Sequence, residues 1–430
     1  MDIKWLKQQG IPIASFLVLG LSGVGIHILI GRFYDVKVLG QFNSAMAFYL
    51  VCAQVGSLGT YLAVLHFFSA PLDTLDPERA WRISCTANIL ALLGAAGIII
   101  LSFVLHGIFP GIFGANADTA RMILASSLGI PFFCINKNLL AFLNAQNHIN
   151  SYFSLQGLRY LLLLALLAAM ALAGLPPIWL GHVFWICEAI LLLIVASVVF
   201  RFTRTYFSTV WTLRPIVFSW RESSVIRHSL KALPGGMVQE LAVRVDIFML
   251  TYLAEPFQVG LYSVAAMVAE GLNQVTGLVR DQLSPEIGRL YFERKTKALG
   301  QLIRKTVLYG YLLLLVPALL AVALFPDIAE WLFGNPGLRL AGLPFAILMA
   351  GLYLSAPYHF LFYAPNQMGR PIIHTWIVAA STLCNLLLNL LLIPSQGIAG
   401  AAIATAVSWL LALVLLGGWL RRMKRDLVKK

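Results

Sequence analysis

Residues Leu161–Leu172 read LLLLALLAAMAL, and Ile190–Phe200 read ILLLIVASVVF. Each run lies within a longer apolar window, and a helix needs about 20 mostly apolar residues to cross a bilayer. Of the 430 residues, 60% are hydrophobic and only 11% are charged, whereas an ordinary soluble domain has roughly 25% charged residues. No single soluble core buries so many apolar side chains, so lipid must solvate much of the surface. The reading is an all-α polytopic membrane protein.

Outward from these runs, hydropathy and polar breaks place about twelve transmembrane helices. They fall near 11–31, 41–66, 82–106, 120–143, 157–174, 178–200, 232–253, 259–281, 303–324, 339–362, 371–393 and 397–420. The even number puts both termini on one side. Of the 31 Lys and Arg, 25 fall on one set of alternating segments, among them Lys4, Lys7, Arg79, Arg82, Arg159 and the basic end from Arg421 to Lys430. The opposite set holds Arg32, Lys37, Arg121 and Arg339, and Lys137 and Arg244 lie inside helices. The positive-inside rule then predicts cytoplasmic termini in a multi-pass membrane protein. The net charge of +13 is a topology signal, and nucleic acid is not an expected partner. Met1–Gly10 is short and basic, with no A-x-A-like site after the next apolar segment, so that segment reads as a first helix and not a removed signal.

The longest polar stretch, near 201–231, divides the chain at its middle. Expected domains are an N-terminal six-helix bundle over 1–205, a cytoplasmic linker over 206–231 and a C-terminal six-helix bundle over 232–430. The halves echo each other. Ala145-Gln146-Asn147 matches Ala364-Pro365-Asn366, and Val38–Phe42 matches Gln258–Tyr262, with nearly the same shift. Duplication of a six-helix unit is a transporter architecture.

Charge inside a membrane is costly and usually borders a cavity. Glu240 and Arg244 share a helix face at i, i+4, a spacing suited to an ion pair, while Asp246 points elsewhere. Ser263, Glu270, Gln274 and Asp281 form one polar stripe. Lys137 and Asn144 share a face, with Asn136 and Asn138 beside Lys137. Lys137, Arg244, Asn144 and Gln274 are therefore candidate substrate-binding residues, and Asp246, Glu270 and Glu240 candidate ion-coupling residues. Glu188 reads as a lone packing residue, and Arg280 as an arginine that snorkels to the surface. Packing alone remains an alternative reading for the Glu240–Arg244 pair.

No P-loop and no H-E-x-x-H occurs, so no nucleotide hydrolysis, metal or cofactor is expected. The five cysteines, Cys52, Cys85, Cys134, Cys187 and Cys384, are scattered through apolar segments and give no disulfide or metal pattern. His27 reads as a packing histidine. A membrane-embedded transferase needs an acidic loop, which only Asp73, Asp76 and Glu78 offer, beside Pro71 and Pro77. Catalysis is therefore not the expected activity.

Three stretches carry a resemblance: GRFYDVKVLGQF over Gly31–Phe42, VGLYSVAAMVAEGLNQVTGLVRDQLSPEIGRL over Val259–Leu290, and NLLLNLLLIPSQGIAGAAIATAVS over Asn385–Ser408. With the twelve-helix layout, they resemble the polysaccharide transporter family, the bacterial O-antigen and lipid-linked oligosaccharide flippases. That family belongs to a superfamily shared with multidrug and toxic-compound extruders (MATE). The resemblance implies two six-helix bundles around a central cavity. It also implies transfer of undecaprenyl-pyrophosphate-linked oligosaccharide from the cytoplasmic to the outer leaflet of the bacterial inner membrane, for polysaccharide or lipopolysaccharide assembly. Expected partners are that lipid, membrane lipids and a polysaccharide polymerase machinery. A cation-coupled drug extruder of the same superfamily is the alternative.

Overall fold

The computed structural model describes residues 3–70, 76–108, 116–204 and 218–429. Among them every regular element is helical. The elements are α1 (Ile3–Phe33), α2 (Val36–Gly56), α3 (Thr60–Phe67), α4 (Pro77–Ile108), α5 (Ala117–Ser127), α6 (Ile130–Ala145), α7 (Ile149–Leu172) and α8 (Val183–Thr203). They continue with α9 (Ser223–Leu253), α10 (Pro256–Phe292), α11 (Thr296–Phe333), α12 (Gly342–Leu354), α13 (Ala356–Phe360), α14 (Ala364–Gln367) and α15 (Pro371–Lys429). The chain is a multi-pass α-helical membrane protein.

Each of the twelve apolar windows falls on a helix, a broken helix pair or one arm of α15. Among the described residues, seven helical stretches are long and apolar enough to span a bilayer, and the α5–α6 pair, bent by 45°, makes an eighth. One of the seven, Pro371–Met423, contains two windows, because α15 is broken at Gly397 with φ 57 and ψ −134. Only glycine adopts that conformation readily. The stretch α9 to α10 falls outside the apolar set because it carries Glu240, Arg244, Asp246 and Glu270. The polarity that lowers its hydropathy is the polarity of the candidate site.

Local chemistry sets the ends. Asp35 caps α2 by accepting from the Val38 amide at 2.7 Å, and Asn116 caps α5 through the amides of Asp118 (2.9 Å) and Thr119 (3.3 Å). Asp76 does the same for α4, accepting from the amides of Glu78 and Arg79. That explains its acidity without chemistry, while Asp73 lies outside the described residues. The α2–α3 break uses left-handed backbone at Leu58 and Gly59. Thr60 then ties the break to α6, donating to the Asn138 side chain at 2.9 Å.

The chain forms two compact units, Met1–Glu240 and Leu241–Lys430, which meet within α9. The expected start of the second domain at 232 lies nine residues before Leu241 in that helix. Of the expected linker 206–231, residues 206–217 lie outside the described residues and the rest leads into α9. Its Glu222 side chain is only 6% exposed and faces Arg82 at 3.4 Å and Arg79 at 3.9 Å. Element starts recur along the chain: Ile3 and Ser223 open α1 and α9, Val36 and Pro256 open α2 and α10, and Pro77 and Thr296 open α4 and α11. These offsets of 220, 220 and 219 residues match the internal repeat in the sequence.

Small residues permit close helix contact in the N-terminal unit. A Cβ on Gly94 of α4 would lie 2.3 Å from the Gly56 carbonyl oxygen and 2.8 Å from Leu58. Backbone cannot yield as a flexible side chain can, so Gly94→Ala is expected to cost in the upper part of the about 1–3 kcal/mol range for overpacking. That exceeds the gain of about 1 kcal/mol in helix propensity. Gly97, with nothing within 4 Å of its Cβ position, is the control: Gly97→Ala should be neutral or stabilising. Thermal unfolding of both variants in detergent checks the contrast.

Candidate functional site

Successive residues on α6 point about 100° apart, so Asn136, Lys137 and Asn138 serve three different neighbours. Asn136 donates to the Glu188 carboxylate on α8 at 2.7 Å. Asn138 donates to Asn88 on α4 at 3.1 Å. Lys137 turns toward α2 and α3. Its Nζ donates to Gln54 Oε1 and lies 4.1 Å from the Tyr61 ring centre and 5.6 Å from that of Phe133. Gln54 is itself braced by donating to the Tyr61 hydroxyl at 3.3 Å.

Gly236 makes room for this arrangement. A Cβ there would sit 2.3 Å from Gln54 Nε2 and 3.1 Å from the Tyr61 hydroxyl, so the glycine lets α9 approach the two side chains that hold the cation. Glu240, one turn further on, acts electrostatically on both Lys137 and Tyr61. An ammonium has three donors. With one on Gln54 and the Tyr61 face beside another, Lys137 retains donor capacity for a guest oxygen. Asn144 lies seven residues along α6 from Lys137 and is half-buried.

A second polar cluster in this unit has no counterpart in the sequence reading. Arg159 was expected in the cytoplasmic charge set and Glu188 alone in the core. Arg159 instead lies ten residues inside α7, which starts at Ile149, and its Nε is 2.9 Å from Glu188 Oε1. The side chains are 15% and 4% exposed. The Arg159 guanidinium also covers the Phe133 ring at 4.9 Å. This is a buried ion pair joining α7 to α8, with Asn136 of α6 completing the carboxylate. The early start of α7 was hidden because its first turns, INSYFSLQ, are polar.

In the C-terminal unit Asp246 is the centre of a network. Its carboxylate accepts from Tyr262 at 2.7 Å, from Asn389 at 2.9 Å and from Thr405. Asn385 donates to Thr405 at 3.2 Å, and Asn389 donates to Asn385. Tyr262 and Asn389 are 1% and 0% exposed. The Asn389 Oδ1 beside them has no hydrogen-bond partner. Thus α9, α10 and both arms of α15 bring carboxylate, amide and hydroxyl oxygens together around one buried acid. Sequence reading gave Asp246 an ion-coupling role but quoted Tyr262, Asn385, Asn389 and Thr405 only within motifs, with no role in a site.

The other candidates lie outside this network. Arg244 is half-buried on α9, and two residues of helix turn it about 200° from Asp246. Glu270 and Gln274 are exposed, one turn apart on α10. The side chain of Asp281 lies outside the described residues. Arg280 rests over the aromatic rings of Tyr363 at 4.8 Å and Phe362 at 5.9 Å, which is a defined seat and not simple snorkelling. His27 contacts the Gly23 carbonyl of its own helix at 2.9 Å. Among the described residues, no three His, Cys, Asp or Glu side chains gather to hold a metal.

No family model matches the chain. A stretch of 127 residues is 33% identical to an uncharacterized membrane protein of Methanocaldococcus jannaschii, spanning 30% of this chain and only 25% of that relative. Among solved structures, the lipid II flippase MurJ in an inward closed conformation aligns with a TM-score of 0.77 at 12% identity, over 95% of this chain and 87% of its own. An inward-facing multidrug resistance MATE family transporter of the MOP superfamily gives 0.69 at 14% identity, over 96% and 95%. A MOP superfamily transporter from Pyrococcus furiosus gives 0.61 at 13% identity, over 98% and 95%. At these identities the likeness is one of architecture: the chain has the fold that MurJ and the MATE transporters share.

Proposed function

We propose that the protein is a flippase. It moves an oligosaccharide linked to undecaprenyl pyrophosphate across the cytoplasmic membrane by alternating access, for polysaccharide or O-antigen assembly, with both termini cytoplasmic. The observation that carries the reading is Lys137, a half-buried cation held by Gln54 and Tyr61, in a fold like that of a lipid II flippase. A cation in low dielectric attracts a pyrophosphate strongly, and Arg244 is its counterpart in the C-terminal unit. Asn144 and Gln274 supply amide groups for sugar hydroxyls.

The Asp246 network is the proposed site of the coupling ion. Carboxylate, amide and hydroxyl oxygens suit a hard cation such as sodium or a proton on the acid itself. The orphaned Asn389 Oδ1 is an acceptor that such a cation would satisfy. Glu240 and Glu270 are further acids on the proposed ion path.

The test is flipping of lipid-linked oligosaccharide in proteoliposomes carrying Lys137→Gln. Loss of the cation is expected to reduce the rate by at least tenfold, equivalent to about 1.4 kcal/mol. An unchanged rate removes Lys137 from the substrate path. The likeness to a multidrug MATE transporter supports a second reading, drug export. Gene deletion separates the two: accumulated lipid-linked oligosaccharide, weighed by mass spectrometry, supports the flippase, and drug hypersensitivity without accumulation supports the extruder.

A further inference from the structure

We infer that the C-terminal unit carries a binding site for an anionic phospholipid, in the cleft between the start of α11 and the end of α15. The inference does not depend on what the protein transports. The cleft encloses about 200 Å³ and is walled by Leu299, Ile303, Leu420 and Met423, with Gly300 between them and Thr296 and Arg421 at its edge. Leu299 and the Leu416 side chain beneath it are core residues, so the walls are anchored.

The position favours a lipid. Both helices are apolar spans, Thr296–Phe333 and Pro371–Met423, and the cleft lies where these spans end. Apolar wall therefore meets basic rim at the depth of a headgroup. Arg421 lies at the edge of the cleft, and Arg422, Lys297, Arg304 and Lys305, on the same two helix ends, are exposed like it. No carboxylate pairs with them among the described residues. Lys295 is different, because Glu293 holds it at 2.8 Å. A cluster of this kind beside a transmembrane end attracts anionic headgroups, and the apolar walls offer contact for the acyl chain. Inorganic phosphate alone would gain nothing from those walls.

Gly300 gives the inference a sharp test. A Cβ at this position meets nothing within 4 Å, so a larger side chain projects into the cleft and not into the core. Full-length protein is purified in detergent and titrated with dioleoyl phosphatidylglycerol or dioleoyl phosphatidylcholine, and retained lipid is counted by native mass spectrometry. The wild type is expected to retain several-fold more phosphatidylglycerol. Gly300→Leu fills the cleft at unchanged charge, and Arg421→Gln/Arg422→Gln removes rim charge. Each is expected to bring the two lipids close to parity with an unchanged melting temperature.

Equal retention of both lipids by the wild type overturns the site. So does a preference that persists in folded Gly300→Leu, since diffuse charge would then explain it. Displacement of phosphatidylglycerol by low-millimolar inorganic phosphate overturns the lipid assignment in favour of a phosphate pocket. The double arginine variant changes only exposed side chains and decides the matter where Gly300→Leu does not fold: a retained preference overturns the site, and parity supports it.

Discussion

Asp246→Asn is expected to slow flipping by well over tenfold and to abolish its dependence on the driving ion. The carboxylate accepts three side-chain hydrogen bonds, from Tyr262, Asn389 and Thr405. Hydrogen bonds to a charged group are worth about 1.5–3 kcal/mol each. An asparagine keeps one acceptor oxygen and presents an amide that cannot accept from Tyr262 or Thr405. A single such bond, lost only in the ion-bound state, exceeds the about 1.4 kcal/mol of a tenfold change. The substitution also removes the full charge that balances a bound cation, so sodium or proton gradients should no longer alter the rate.

Glu270→Gln serves as the comparison. Glu270 is exposed on α10 and outside the network, so the loss of this acid, elsewhere on the proposed path, should slow the rate less than Asp246→Asn does. The measurement is initial flipping rate in proteoliposomes with and without an imposed sodium or proton gradient. A gradient response that survives in Asp246→Asn eliminates this network as the coupling site. Asp246→Glu adds one methylene among donors that are 0% and 1% exposed at Asn389 and Tyr262. It should therefore restore charge without full activity.

The membrane class was legible because lipid contact demands long apolar runs, and runs survive in a linear reading. The broken elements were harder. The window 41–66 is one hydrophobic stretch, yet Leu58 and Gly59 turn it into α2 and α3, and that turn lets Thr60 reach Asn138. The window 371–420 looked like two helices because Pro394 and Gly397 interrupt it, and backbone at Gly397 does break it. Charges could be located, but their partners on other helices could not be assigned. Asp246 is 16, 143 and 159 residues from Tyr262, Asn389 and Thr405, and helical periodicity relates residues only along one helix. Its isolation in the sequence was therefore only apparent. Lys137 illustrates the same limit: the sequence shows a cation in a helix, while its contacts with Gln54 and Tyr61, and the close approach of Gly236 to them, exist only after packing.

Arg159 and Glu188 give the largest expected effect on stability. Their side chains are 15% and 4% exposed, with Nε 2.9 Å from Oε1. Removing one partner from a buried pair strands the other charge, at a cost of about 3–5 kcal/mol. Glu188→Leu should be costly because, among the described residues, the Arg159 guanidinium is left with the neutral Gln156 at 3.2 Å and the Phe133 face at 4.9 Å and with no carboxylate. Arg159→Met should be costly because the Glu188 carboxylate keeps only Asn136 at 2.7 Å. The double variant Arg159→Met/Glu188→Leu replaces both charges by apolar bulk. Asn136 then still donates to the Glu188-position backbone carbonyl, 2.9 Å away in the wild type. Replacement of a whole buried pair is often neutral or stabilising, so the double variant should recover most of the loss. Denaturant unfolding of the four proteins in detergent measures the coupling. Additive single losses would mean that the two charges are satisfied separately, and that α7 and α8 are joined by apolar contact alone.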